Sequence, residues 1–172
     1  QWANMPPMDI SDVAYDAFWA NGDQRTQLVG AAGERVKLRL INAGAATYFY
    51  VHSATGPLTV VAADGMPVRP FTQRRLLMGM GETYDVIVTV PESGRYEVRA
   101  TAQDGSGHAS MFLGAGEQHL AKTIPKPKVY GMDWMLAGLD DPAPNDPESA
   151  RPLAPYARLL ARESTAMPAN AT

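Results

Sequence analysis

The 172-residue chain contains no cysteine. Disulfides, thiolate zinc sites, cysteine nucleophiles and any metal centre that needs a thiolate ligand are therefore excluded. It also lacks a block of charge of either sign: 15 Lys+Arg against 18 Asp+Glu give a formal net charge of -3. Without a basic patch there is no electrostatic footprint for nucleic acid and no polybasic membrane segment. No apolar run approaches the ~20 residues of a membrane span. The chain opens on Gln1-Trp2, without a positively charged and then apolar leader, and this start predicts a processed chain or a piece of a longer one.

What is present is strand-like. Hydrophobic residues make up 45% and charged ones 19%, the balance of a globular domain with one buried core. In "ERVKLRLIN" Val36, Leu38 and Leu40 alternate with Lys37 and Arg39. "TYDVIVTV" puts Tyr84, Val86, Val88 and Val90 on one face, and "GRYEVRA" alternates Tyr96 and Val98 with Arg95, Glu97 and Arg99. This period of two marks half-buried strands. Further strands are predicted at 13–20, 48–53, 58–63, 74–78 and 109–113. Turn pairs separate them, among them Asn21-Gly22, Ala32-Gly33, Asp64-Gly65, Ser93-Gly94 and Asp104-Gly105. Seven or eight short strands so spaced predict an all-β fold, a two-sheet antiparallel sandwich.

The predicted sandwich covers residues 9–116, with irregular arms at 1–8 and 117–172. Eight of the 14 prolines fall in 117–172, and proline cannot donate to a central ladder. One short helix is expected near 155–163, where Pro155 starts a segment with Tyr156, Leu159 and Leu160 on a face.

Few residues offer chemistry. The histidines are His52, His108 and His119, and their spacing matches no local metal motif, so they read as surface or loop residues. Methionine is plentiful at nine residues, including Met5, Met8, Met78, Met80, Met132 and Met135. Thioethers favour Cu(I), and core packing explains Met78 better than it explains Met132 and Met135 in the arm. Asp64 with Gly65 is a tight-turn pair, and Glu82 and Asp85, an odd number apart on a strand, point to opposite faces. "GAAGERV" and "GAGEQ" read as hairpin turns because neither has the spacing of a phosphate cradle before a helix. Trp2, Trp19 and Trp134 could build an exposed binding platform; Tyr48, Tyr84 and Tyr96 are expected in or near the core.

In order along the chain, "YDAFWANGD", "GERVKLRLINAGAATYFYVHSATGPLTVVAADGMPVRP", "GMGETYDVIVTVPESGRYEVRATA" and "GHASMFLGAG" resemble the middle cupredoxin domain of a three-domain multicopper oxidase, nearest to the bacterial copper-resistance (CopA/PcoA-like) type. The resemblance implies a cupredoxin-like Greek-key β-sandwich. It implies a parent oxidase that takes single electrons at one copper, reduces dioxygen to water at a copper cluster, and acts on Cu(I) or phenolic substrates in the periplasm or outside the cell. The family's copper ligands lie in its first and third domains. "YVHSATG" has one histidine where a first-domain motif has two, and "VRATAQDGSGHA" lacks the cysteine, so no catalytic, cofactor-binding or metal-ligating residue carries over. This chain is expected to hold no cofactor and to be inactive alone. Its expected partners are the first and third cupredoxin domains, and the surfaces that meet them predict self-association of the isolated chain. A free-standing carbohydrate-binding or adhesion sandwich is the rival reading.

Overall fold

The computed structural model describes residues 15–28 and 30–124. The predicted helix near 155–163, the arm residues Met132 and Met135, and Trp2 and Trp134 lie outside them. Ten strands and no helix occur among the described residues: β1 (Arg25–Gln27), β2 (Arg35–Ile41), β3 (Phe49–Ser53), β4 (Leu58–Ala63), β5 (Met66–Gln73), β6 (Arg75–Met78), β7 (Thr83–Thr89), β8 (Gly94–Ala102), β9 (His108–Ala115) and β10 (Gln118–His119). They form two sheets. One has the order β1-β9-β8-β3-β6, with β10 also paired to β8, and the other has the order β2-β7-β4-β5. The chain passes back and forth between the sheets, so most neighbours are not consecutive, as a Greek key requires.

Alternation places the core as expected. Tyr84, Val86, Val88 and Val90 on β7 and its end are 0–3% exposed, and Leu38 and Leu40 of β2 pack with them. From the facing sheet come Val51, Leu76, Met78, Val98 and Leu113. In β4 the register to both neighbours shifts between Val60 and Ala62. This bulge lets Leu58, Val60 and then Ala63 all turn to the core. Asp64 and Gly65 both have positive φ, 47° and 79°, the geometry of the tight hairpin turn read from the sequence.

Four strand expectations change. The sandwich is not wholly antiparallel, because β1 runs parallel to β9 and β10 parallel to β8. No strand forms over Tyr15–Trp19: the segment makes only a bridge at Ala20, while Phe18 packs edge-to-face on Phe49 at 5.5 Å. β5 was hidden by Pro67 and Pro70. It lies at a sheet edge and pairs only with β4, where missing N–H groups are tolerated. β1 and β10 are too short to show a period. β10 also lies past the boundary expected at residue 116. Glu82 sits before β7, where its carboxylate accepts the Gly79 N–H at 2.8 Å, while Asp85 pairs with Lys37 at 3.4 Å.

Candidate functional site

The polar residues gather on the face of the five-strand path that points away from the core. Residues directly paired across a sheet project to the same side. The register runs Arg25–Ser110–Arg99–His52–Arg75 across β1, β9, β8, β3 and β6. Such a row would ordinarily be solvated, yet Ser110, Arg99, His52 and Arg75 are only 5–8% exposed and Glu97, in the next row, 1%. Two stretches of chain cover this face. Residues around Phe18 and Leu120 wall a cavity of about 440 Å³ whose floor carries Glu97, Arg99, Ser110 and His108.

Glu97 is the centre of the cluster. Its Oε1 accepts Nε–H of Arg99 at 3.0 Å and the Ser110 hydroxyl, and its Oε2 accepts Nη2–H of Arg99 at 2.8 Å and the Ala121 N–H at 2.9 Å. Each oxygen thus uses its two acceptor sites. Burial pushes the carboxyl up, but the hydrogen bonds from Arg99, Ser110 and Ala121, with the Arg99 charge, outweigh it and hold the group below its ordinary value. A carboxylate so saturated is an ion-pair anchor and has no lone pair left to act as a base.

The three histidines are not brought together. His52, expected at the surface, is buried on β3, and its Nε2 donates to the Lys122 carbonyl at 2.8 Å. His108 begins β9, paired with Thr101 in the neighbouring row and separated from β3 by β8. Burial and then the Arg99 charge lower its affinity for a proton. His119 on β10 stacks on Tyr96 at 4.3 Å, in register with the core-facing parity of β8. Among the described residues no group of three or more His, Cys, Asp or Glu is placed to hold a metal ion. A thiolate-ligated copper does not fit this donor set. Met80 and Trp19 are exposed, and Met78 is core.

Sequence reasoning missed the Glu97–Arg99–His52 cluster. One signal was available: Glu97 and Arg99 carry opposite charges two apart on a strand, which places them on one face within bonding reach. That the face would be covered had no local signal.

The sequence profile of the multicopper oxidase family matches residues 8–117. Copper resistance protein A homolog of Pseudomonas syringae pv. tomato is 32% identical over 161 residues, 88% of this chain and 27% of that protein. Copper resistance protein A of Escherichia coli is 32% identical over 149 residues, 80% of this chain and 24% of that protein. The chain spans about a quarter of the length of these curated relatives. Among solved structures, Fet3p, described as a multicopper oxidase that functions in iron import, superposes with a TM-score of 0.55 at 15% identity, over 61% of this chain and 23% of that one, a likeness of fold alone. A mutant laccase from B. aclada superposes with a TM-score of 0.50 at 25% identity, over 70% of this chain and 24% of that one. With its profile matched over more than half of the sequence, on a two-sheet β-sandwich shared with solved members, this chain belongs to the multicopper oxidase family.

Proposed function

We propose that this chain is the copper-ligand-free middle domain of a three-domain multicopper oxidase, and that it spaces the first and third cupredoxin domains so that their interface assembles the copper cluster. The observation that carries this reading is the donor deficit inside a copper-oxidase sandwich. A family member without a single cysteine cannot supply the thiolate of an electron-accepting copper. Of its three histidines, His52 is committed to a backbone carbonyl and His119 to a ring stack. In this reading residues 9–116 are the sandwich, and 1–8 and 117–172 connect to the neighbours. The parent oxidises Cu(I) or phenolic substrates and reduces dioxygen to water in the periplasm. The names of the copper-resistance relatives favour Cu(I), and Met132 and Met135 are proposed to present thioethers to incoming copper.

Cu(II) titration of the isolated chain tests the central claim. No intense blue absorbance and no dioxygen uptake with a phenol are expected. A blue band with copper retained through gel filtration would overturn the reading. The full open reading frame adds an independent check, since histidine-rich copper motifs are expected on both sides of this segment.

A further inference from the structure

The chain leaves the sandwich along a path fixed at two points. The Ala121 N–H donates to Oε2 of Glu97 at 2.9 Å, and the Lys122 carbonyl accepts Nε2–H of His52 at 2.8 Å. The anchors stand on β8 and β3, hydrogen-bonded neighbours inside the sheet. The path starts from β10, a two-residue strand, and the Glu117 carbonyl, which accepts the Arg95 N–H at 2.7 Å. Ala121 is 5% exposed, so the anchored backbone lies against the sheet. A carbonyl can only accept, so the bond to Lys122 puts the proton on Nε2 of His52. Its Nδ1 is then a bare lone pair, buried and without a hydrogen-bond partner among the described residues.

We propose that Glu97 and His52 form a two-point latch on the outgoing chain at Ala121–Lys122, and that a proton taken up by His52 releases the Lys122 point while the sandwich stays folded.

The groups facing His52 decide the sign. Arg99 of β8 and Arg75 of β6 flank it in register, Glu97 of β8 is the one nearby carboxylate among the described residues, and the outgoing segment offers a backbone carbonyl. A second proton on the ring would place a cation between two guanidinium-bearing side chains, and the single carboxylate is already saturated by four donors. Burial is the largest influence and holds the imidazole below its ordinary value of 6.5; the Lys122 hydrogen bond, next in size, pulls the other way, and the charges of Arg99 and Arg75 add to burial while Glu97 opposes it least. Relief requires the ring to reach water. The β3 backbone is laced into ladders on both sides and does not yield, so the segment that moves is the one held by a two-residue strand and the latch. With the Lys122 point gone, the neighbouring Ala121 N–H is left on a single hold, so its bond to Glu97 opens more often, although the Glu97 carboxylate itself stays ionised to lower pH, held below its ordinary value of 4.5. A buried histidine biasing a weakly held element is the physical form of a pH switch.

Residue-resolved amide hydrogen exchange on the full 172-residue chain, corrected for intrinsic exchange, between about pH 8 and about pH 5 tests it. Protection at Ala121 should fall by up to about tenfold per pH unit in the acid part of the range, the limit for uptake of one proton. The amides of Val98 and Leu113 should keep theirs. In His52→Gln the side-chain amide can still donate to Lys122 but takes up no proton, so Ala121 should lose its pH dependence and keep its protection at neutral pH. A flat profile at Ala121, loss of protection in step with Val98 and Leu113, or an unchanged acid response in His52→Gln would each overturn the latch.

Discussion

At the scale of single residues, a carboxylate with 1% exposure is stable only because four donors reach it. Removing one member of a buried pair leaves the other charge uncompensated, a cost of about 3–5 kcal/mol. Arg99→Ala is therefore expected to destabilise the chain by that amount in urea unfolding, and Glu97→Leu by a similar one. The double variant Glu97→Leu/Arg99→Met should cost clearly less than the sum, since neither charge is then stranded. Additive losses would mean that the pair's Coulomb term matters little here. Phe112, fully buried on the same face, has Arg95 at 4.4 Å and Arg25 at 5.5 Å from its ring centre, so aromatic surface as well as carboxylate helps bring cations out of water.

At the scale of elements, two glycines with nearly the same backbone angle make different predictions. Gly65 (φ 79°) has nothing within 4 Å of where a Cβ would stand, so Gly65→Ala carries only the left-handed penalty, about 1–2 kcal/mol. Gly114 (φ 81°) would place its Cβ 2.4 Å from the Gly94 carbonyl oxygen, where β8 and β9 pair. Gly114→Ala should thus cost more than Gly65→Ala in the same thermal or urea assay, and equal losses would refute the close approach. Legibility also varied by element. Strong alternation made β2, β7 and β8 readable, and an apolar run made β4 readable to the residue. β5 was unreadable because two prolines look like a break until the strand is known to lie at an edge. The strand expected at 13–20 errs in the other direction: over its described residues 15–19 no strand forms, because Phe18 packs on Phe49 while Trp19 is 67% exposed.

At the scale of the whole molecule, His52 and Glu97 act together on stability. Both native groups bind protons less readily than in the unfolded chain, so the unfolded chain takes up more protons on acidification. Their contribution is fully present above the ordinary histidine value of 6.5 and is lost as pH falls, first through His52 and then, below the ordinary carboxyl value of 4.5, through Glu97. Urea midpoints taken across that range should decline toward acid. A midpoint that rises from neutrality to about pH 5 would contradict the burial of His52 as a neutral ring.

The sequence by itself determined the core face of the main strands, several turn pairs, the family resemblance and the lack of any thiolate, because alternation, turn chemistry and composition are local properties of the chain. Only the tertiary structure decided what the opposite face of the larger sheet does. A strand has two sides, and its own pattern cannot say whether the polar one meets water. Here segments from before β1 and after β10 fold over that side. An apparently solvated row of Arg99, His52 and Arg75 is thereby buried, and Glu97 becomes an anchor for a backbone amide that the sequence places 24 residues away.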